Sequence, residues 1–288
     1  MIPPRFDYVA PSSVDEAIAI LHTEGDEAKI LSGGQSLLPL LKLRLASPRV
    51  LVDINRIPGL DRLREDAGML RIGALVRESD VEASAIVRAR YPLLADTAAV
   101  VADPLVRNRA TICGNVAHAD PANDHPATLL ALSAVIVARG PAGERAIAID
   151  DFFTGLFATA LQPDEVVVEI RVPTPPPRSG GAYLKLERKV GDFATAAVAV
   201  QVTLAADGVV ERAGIGLTNV GPMPIRARQA EARLAGQRPD DAVLKDAARL
   251  AAADAQPVSD RRGSADYKRD VVRVLAYRAL RRAVERAG

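Results

Sequence analysis

The stretch Ser32-Gly33-Gly34-Gln35-Ser36 governs how the whole sequence is interpreted. It follows the apolar run 28–31 and precedes residues 37–41 (LLPLL), so it predicts a short buried strand, a tight turn and the start of a helix. Two adjacent glycines permit positive φ and a close approach of the backbone to a ligand. Ser36 is a favourable N-cap, and the N–H groups of such a turn suit phosphate oxygens. An ordinary strand-to-helix turn is the alternative.

Composition excludes several classes of protein. The chain has 288 residues, of which 37 are basic and 36 acidic, so no nucleic-acid partner is expected. The single cysteine, Cys113, excludes an internal disulfide and is too few to hold an iron–sulfur cluster. The longest apolar run, 127–138, is too short to span a bilayer, and the sequence does not open with a secretory leader. We therefore expect a cytoplasmic protein.

Local patterns predict an α+β protein of three modules. Residues 1–55 contain a capping box at 13–16, the opening stretch and a returning buried strand at 50–54. Residues 56–177 contain predicted strands at 70–74, 135–137 and 166–172, and a second capping box at 79–82 that is expected to start a helix. The run Pro173-Thr174-Pro175-Pro176-Pro177 predicts a stiff linker and a boundary.

Residues 178–288 are expected to form the third module. Three strands are predicted at 182–187, 196–204 and 209–217, with a turn at 205–208 between the last two. Helices are predicted at 225–234, 241–253 and 266–287. The long C-terminal helix carries several arginines and acidic residues, which favours packing on one side and solvation on the other over a role at a membrane surface.

Several motifs do not have the context that their chemistry needs. Gly214, Gly216 and Gly221 have the wrong spacing for a dinucleotide fingerprint and follow a hairpin rather than opening a helix. Four polar residues in one loop could be taken as a metal cluster, but their spacing matches no common zinc pattern; they are His118, Asp120, Asp124 and His125. No serine lies in a G-x-S-x-G elbow, so acyl transfer is not predicted.

A second glycine-containing turn remains, at Thr111-Ile112-Cys113-Gly114-Asn115. If this turn faced Ser32–Ser36, the two backbones could share the diphosphate of a dinucleotide. Nothing in the sequence alone shows that they face each other.

Both turns resemble the flavin-binding motifs of a known family, the FAD-binding medium subunits of molybdenum hydroxylases. The first motif continues through residues 37–42, and the second continues as residues 119–124 (ADPAND). The opening Met1-Ile2-Pro3 and the segments 188–196 and 216–220 also match. The resemblance covers essentially the whole chain and is greatest to medium subunits of aerobic carbon monoxide dehydrogenases.

The resemblance implies a fold and a role. The fold is that of the vanillyl-alcohol-oxidase flavoproteins: two α/β subdomains enclose FAD, and a C-terminal subdomain with a three-stranded antiparallel sheet and helices follows. Substrate would be oxidised at a molybdenum cofactor in a large subunit. Electrons would then cross two [2Fe–2S] clusters in a small subunit, reach FAD in this chain and leave to an acceptor such as a quinone, the flavin itself performing the redox chemistry.

The same resemblance assigns cofactor contacts. It implies that the diphosphate is held by both turns, which comprise Ser32, Gly33, Gly34, Gln35, Ser36, Thr111, Ile112, Cys113, Gly114 and Asn115. Asp124 matches a position that contacts FAD, and Val167 one that meets the isoalloxazine through its backbone. Lys185 lies where a basic residue approaches the flavin, and Phe193 where a tyrosine ring shields it. The simpler interpretations are a solvated lysine and a core aromatic residue.

Cys113 departs from the family, which usually has glycine there. If the position required positive φ, a side chain would cost about 1 kcal/mol or more. A thiol in an anion-binding turn could also have a lowered pKa. A small buried residue that fills space is the alternative interpretation.

Several functions are thus open. The leading hypothesis is the electron-transferring FAD subunit of a carbon monoxide dehydrogenase, assembled with large and small subunits as a dimer of heterotrimers and peripherally associated with the inner face of the cell membrane. The alternatives are a medium subunit serving an N-heterocycle, aldehyde or other substrate, a stand-alone flavin oxidase, and a non-catalytic assembly subunit in which Cys113 has abolished FAD binding.

Overall fold

The fold was described from a computed structural model, which covers residues 2–288. Met1, part of the matched opening, lies outside the described residues. The chain begins with a three-stranded parallel sheet and two helices: β1 (Asp7–Val9), α1 (Val14–Glu24), β2 (Ala28–Leu31), α2 (Leu37–Lys42) and β3 (Val50–Asp53). The strand order is β1-β3-β2, so β3 is central. Strand β2 leads directly into the first glycine turn, which therefore lies at the carboxyl end of this sheet.

A five-stranded antiparallel sheet follows, with most of its helices inserted between strands. Its elements are β4 (Leu63–Asp66), β5 (Met69–Gly73), α3 (Glu78–Ala83), α4 (Ala85–Arg90), α5 (Pro92–Ala98), α6 (Pro104–Arg107), α7 (Ile112–His118), α8 (Asp124–Leu132), β6 (Val135–Gly140), β7 (Gly143–Ala148), α9 (Ile149–Phe152), the small hairpin β8 (Phe153–Gly155) and β9 (Ala158–Thr159), and β10 (Val166–Pro173). The order β4-β5-β10-β6-β7 puts β10 at the centre. The strand that comes last in this segment, β10, therefore lies between β5 and β6.

The C-terminal part is a four-stranded antiparallel sheet covered by helices. It comprises β11 (Ser179–Glu187), β12 (Ala194–Leu204), β13 (Val210–Thr218), β14 (Ile225–Arg226), α10 (Arg228–Leu234), α11 (Asp241–Asp254) and α12 (Ala265–Ala287). Strand β12 is almost wholly buried because α12 packs against it and β11 on one side, while α8 packs against it and β13. Two hydrophobic cores result, one through the first two sheets and one between this sheet and its own helices.

Three local predictions are wrong in detail. The helix predicted at 225–234 begins only at Arg228, because Ile225 and Arg226 add a fourth strand to a sheet expected to have three. The capping box predicted at 79–82 begins two residues too late: the N-cap is Arg77, the helix begins at Glu78, and the backbone N–H of Arg77 donates to the Asp80 carboxylate at 3.0 Å. Strand β7 was missed because its residues are largely exposed and carry no apolar alternation.

The rejected glycine pair has a packing role. A Cβ at Gly216 would lie 2.0 Å from the carbonyl oxygen of Ala127, and one at Gly214 would lie 2.0 Å from that of Ala131. Helix α8 therefore lies directly on β13, and the missing side chains allow this contact. No helix within residues 2–288 is both long and apolar enough to cross a membrane.

Candidate functional site

The two glycine turns meet. We call residues 32–36 the first loop and residues 109–115 the second loop. The hydroxyl oxygens of Ser32 and Thr111 are 3.1 Å apart. A Cβ at Gly33 would lie 2.4 Å from the carbonyl oxygen of Arg109, so only glycine permits this approach of the two backbones. The sequence raised the possibility that these turns face each other, and the tertiary structure brings them into contact.

The first loop presents unused backbone donors. Gly34 has φ +74°, which turns the chain sharply between β2 and α2. Within residues 2–288, the backbone N–H groups of Gly33, Gly34, Gln35 and Ser36 donate to no protein acceptor. Ser36 is the N-cap residue of α2, as predicted, but its backbone is already helical and its side chain makes no capping hydrogen bond. Four neighbouring N–H groups are thus free for an anion.

The second loop forms the N-terminal turn of α7. The Thr111 hydroxyl accepts the N–H of Gly114 at 3.1 Å and so caps the helix. Ile112 is fully buried in the core, so only its backbone can reach a ligand. The side-chain oxygen of Asn115 is buried and has no partner within residues 2–288, while its backbone oxygen accepts from Asn123 at 2.8 Å. An orphaned polar atom of this kind calls for a ligand or solvent partner.

Cys113 is buried, and its backbone is not strained. It lies within helix α7, and its φ is not positive. Its side chain is 2% exposed, and its sulfur lies 3.6 Å from the carbonyl oxygens of Ile72 and Gly73. Burial raises the pKa of the thiol well above its ordinary value, so the lowered pKa considered above is wrong. The residue fills space between α7 and β5, which removes the physical basis for a lesion in FAD binding.

Asp124 and Lys185 lie together and bind each other, and their contacts with FAD stay predictions. The ammonium nitrogen of Lys185 is 3.0 Å from the Asp124 carboxylate and 3.0 Å from the carbonyl oxygen of Val100. The Tyr183 hydroxyl donates to the other Asp124 oxygen at 2.6 Å. Only 3% of the Lys185 side chain is exposed, so the solvated lysine considered above is wrong. Burial raises the pKa of Asp124, although Lys185 and Tyr183 oppose that shift. This cluster joins α8 to β11.

Val167 and Phe193 lie apart from these contacts. Val167 is buried at a bulge in β10, and its neighbour Val168 accepts the backbone N–H of Ala74 at 3.0 Å. Phe193 is 50% exposed just before β12, so it is not the core aromatic residue considered above. The guanidinium of Arg262 donates to its carbonyl oxygen at 2.6 Å. Their contacts with a cofactor stay predictions.

The polar loop that could be taken as a metal cluster is used otherwise. His125 is fully buried and its Nε2 lies 2.6 Å from the carboxylate of Glu78, which is also fully buried. The ring centroids of His118 and Phe157 are 5.4 Å apart with the rings tilted by 52°, and burial lowers the pKa of His118. Within residues 2–288, no group of three or more His, Cys, Asp or Glu side chains is placed to hold a metal ion.

Sequence reasoning missed two polar side chains beside the loops, Asn55 and Arg77. The side-chain amide of Asn55 donates to the carbonyl oxygen of Ser32 at 2.9 Å. The guanidinium of Arg77 donates to Asn55 and to the carbonyl oxygen of Arg109, each at 2.6 Å. Neither residue lies in a motif, and the available signal was only that Asn55 follows the carboxyl end of the central strand β3.

These residues fit FAD. A dinucleotide needs donors for its diphosphate, acceptors for its sugar hydroxyls, and glycine where its phosphates approach the backbone. The first loop offers the unused N–H groups of residues 33–36. The second offers the N-terminal turn of α7 and the side-chain oxygen of Asn115, which has no partner.

Comparison with known proteins agrees with this fit. Residues 4–175 match the model of the FAD-binding domain in molybdopterin dehydrogenases, and residues 181–283 match that of the carbon monoxide dehydrogenase flavoprotein C-terminal domain. The chain is 48% identical over 283 residues to the carbon monoxide dehydrogenase medium chain of Hydrogenophaga pseudoflava, covering 98% of both proteins. It is 40% identical over 287 residues to the 6-hydroxypseudooxynicotine dehydrogenase complex subunit alpha of Paenarthrobacter nicotinovorans, covering 100% of this chain and 97% of that one.

A solved structure is also very similar. It is that of carbon monoxide dehydrogenase from Hydrogenophaga pseudoflava lacking the Mo-pyranopterin moiety of the molybdenum cofactor, with a TM-score of 0.97, 49% identity and 100% coverage of both chains. The chain therefore belongs to the family of FAD-binding subunits of molybdopterin dehydrogenases. Within it, the chain stands with the medium subunits of carbon monoxide dehydrogenase and related molybdenum hydroxylases. FAD is its cofactor, and the molybdenum cofactor is carried by other subunits. Since these relatives are chains of multi-subunit enzymes, large and small partner subunits are implied.

Proposed function

We propose that this chain is the electron-transferring FAD subunit of an aerobic carbon monoxide dehydrogenase. It would receive electrons from two [2Fe–2S] clusters in a small subunit, after carbon monoxide is oxidised at the molybdenum centre of a large subunit. It would deliver them to an external acceptor such as a quinone. The observation that carries the proposal is the contact between two loops with free donors, in a chain 48% identical to a carbon monoxide dehydrogenase medium chain.

Bound FAD supplies the one- and two-electron chemistry that no side chain of this protein provides. The chain binds and orients the cofactor. The N–H groups of the first loop and the capped turn of α7 hold the diphosphate, and Asn115 uses its orphaned oxygen as an acceptor. The buried cluster of Asp124 and Lys185 fixes β11 against α8.

The other cofactor contacts extend this site. The backbone of Val167 meets the isoalloxazine, and Phe193 covers a flavin face without the hydroxyl that tyrosine has in relatives. Residues 1–55 and 56–177 form two FAD-binding subdomains, and residues 178–288 form the C-terminal subdomain. The complex is a dimer of heterotrimers in the cytoplasm, peripherally associated with the inner face of the cell membrane.

A second candidate keeps the same chemistry in this chain and changes the substrate of the complex. The 40% identity to a subunit of 6-hydroxypseudooxynicotine dehydrogenase favours a medium subunit that serves an N-heterocyclic or related substrate. The chain binds no substrate under either proposal, because substrate oxidation occurs in the large subunit.

The test is purification of the intact complex with its natural partners. One FAD per copy of this chain, together with reduction of an artificial acceptor by carbon monoxide, is expected. Stoichiometric FAD with no turnover of carbon monoxide but turnover of an N-heterocycle would select the second candidate. A complex without FAD would overturn both, and flavin reduction by substrate in the isolated chain would indicate a stand-alone oxidase.

A further inference from the structure

Two side chains that no flavin-binding motif contains connect the two loops. Asn55 lies in the short turn after β3, where the Asp53 carboxylate accepts its backbone N–H at 2.9 Å. Arg77 immediately precedes α3 and pairs through its backbone with Thr111 of the second loop. They are 22 residues apart in sequence and joined by a hydrogen bond between guanidinium and amide oxygen at 2.6 Å.

The hydrogen bonds form an unbroken chain from one loop to the other. The Asn55 amide nitrogen donates to the carbonyl oxygen of Ser32 at 2.9 Å. The Asn55 amide oxygen accepts from one guanidinium nitrogen of Arg77, and the other guanidinium nitrogen donates to the carbonyl oxygen of Arg109 at 2.6 Å. That carbonyl oxygen is also the atom that Gly33 approaches most closely. This series of hydrogen bonds therefore ends where the two loops contact each other.

Each side chain suits its place in this chain of hydrogen bonds. The Asn55 nitrogen faces two acceptors, Ser32 and Asp53, while its oxygen faces a guanidinium that can only donate, so the amide orientation is fixed by its partners. Arg77 donates through two nitrogens of its rigid, planar guanidinium group, a geometry that lysine cannot reproduce. Within residues 2–288, its guanidinium forms no ion pair with a carboxylate within 4.0 Å. The half-buried charge of Arg77 lies beside the loops, close to the charge of Arg109 and to the carboxylates of Asp53 and Asp80.

We propose that Asn55 and Arg77 form a connector that holds the first and second loops at the separation required for FAD. The inference rests on the proposed use of both loops to bind the diphosphate. Both residues are positioning residues, since they act through Ser32 and Arg109. The connector fixes the separation of the loops before FAD binds, so binding does not have to order the loops. The positive charge of Arg77 also favours a dianionic diphosphate.

The first measurement is FAD affinity in the full-length chain after removal of its flavin. Asn55→Ala and Arg77→Met are each expected to weaken FAD binding by about 10-fold or more, because each removes a hydrogen bond that involves a charged group. The double variant is expected to lose little more FAD affinity than either single variant, because both substitutions interrupt the same series of hydrogen bonds. Arg77→Lys keeps the charge and loses the planar guanidinium group, and is expected to resemble Arg77→Met more than the natural protein.

The matched control is Arg226→Met. Arg226 is also half-buried and joins elements through Ser133, Asp150 and Glu231, far along the chain from either loop. Its loss is expected to lower the thermal midpoint without changing FAD affinity. An equal loss of affinity in this control would mean that global stability, and not the connector, was measured. Unchanged affinity in Asn55→Ala and Arg77→Met, additive losses in the double variant, or natural affinity in Arg77→Lys would each overturn the proposal.

Amide hydrogen exchange in the FAD-free chain tests the connector without FAD. The N–H groups of Glu78 and Asn115 bond to backbone oxygens of the second loop, and that of Gly114 bonds to the Thr111 hydroxyl. They are expected to exchange faster in both connector variants and at the natural rate in Arg226→Met. Unchanged exchange would overturn the connector even if FAD binds. Faster exchange in the two connector variants, together with a natural chain that binds no FAD, would retain the connector and overturn the proposed function.

Discussion

The hydroxyl groups of Ser32 and Thr111 lie 3.1 Å apart, although 79 residues separate them in sequence. Ser32 follows an edge strand of the parallel sheet, and Thr111 caps a helix that packs against the antiparallel sheet. Each residue therefore belongs to a different sheet module, and the hydrogen bond marks where the two modules meet. A ligand held by both loops would stabilise the folded chain by mass action.

Replacing Gly33 with alanine should separate the loops. The new Cβ would lie 2.4 Å from the backbone oxygen of Arg109, which cannot rotate away as a side chain would. We expect a loss of about 1–3 kcal/mol in the free energy of unfolding, together with loss of FAD. Urea unfolding and the ratio of FAD to protein measure the two effects.

Gly155→Ala is the matched control for that substitution. Its Cβ would meet nothing closer than the Cβ of Ala158 at 3.8 Å, an ordinary contact, and its φ is not positive. Stability and FAD content should stay near those of the natural chain. A stable Gly33→Ala protein with a full complement of FAD would contradict the contact described here.

Cys113 should resist alkylation until the chain unfolds. Burial raises the pKa of its thiol, so at pH 8 the folded protein holds essentially no thiolate at this position. Iodoacetamide should label it only in denaturant. Since the folded state binds the proton more tightly than the unfolded state, this residue should make stability fall as pH rises above about 8.5.

Cys113→Ala isolates that pH effect. The difference in unfolding free energy between the natural chain and this variant should be constant below pH 8 and should shift against the natural chain above it. Cys113→Gly should lower stability, because glycine within a helix costs about 1 kcal/mol relative to alanine, and should not improve FAD binding. Rapid labelling of the folded chain would show that the thiol is exposed.

Replacing Lys185 with methionine should be strongly destabilising. It leaves the buried Asp124 carboxylate without its cation, which costs about 3–5 kcal/mol when a buried pair loses one partner. Burial already raises the pKa of Asp124, so this carboxyl group protonates more readily than usual and the loss should be smaller at pH 5 than at pH 7.5. Chemical denaturation at both pH values measures it.

The control for that pair is Asp124→Asn combined with Lys185→Met. The amide keeps an acceptor for the Tyr183 hydroxyl and removes the uncompensated charge, so the double variant should be more stable than Lys185→Met alone. If the loss of stability in the double variant equals the sum of the losses in Asp124→Asn and Lys185→Met, the two residues are not energetically coupled.

Phe193→Ala should alter the flavin and leave the fold intact. The ring is 50% exposed, so its removal should change the free energy of unfolding by less than about 0.5 kcal/mol. If the ring covers a flavin face, the absorption spectrum and the rate of flavin quenching by iodide should both change. Leu156→Ala, at a residue 61% exposed between β8 and β9, is the control. Identical spectra in both variants would argue against a Phe193 contact.

Local sequence carried much of the fold because short-range periodicity and turn residues act within a few positions. The apolar runs at 28–31 and 50–54, and the strand predicted at 196–204, each correspond to a strand that forms, although their ends differ by up to two residues. The failures occurred where neighbours in space decide the outcome. Ile225 and Arg226 lie at the start of a helical pattern, yet they form a strand because β13 offers an open edge there.

The sequence by itself determined that two glycine turns exist, that one cysteine rules out an iron–sulfur cluster in this chain, and which family the turns resemble. Only the tertiary structure decided that Gly33 is needed for contact with Arg109, that Cys113 is buried, and that Lys185 is paired with Asp124. The reason is physical. Glycine and turn chemistry are local properties of the backbone, whereas a hydrogen bond across 79 residues or a buried ion pair depends on how separate modules pack.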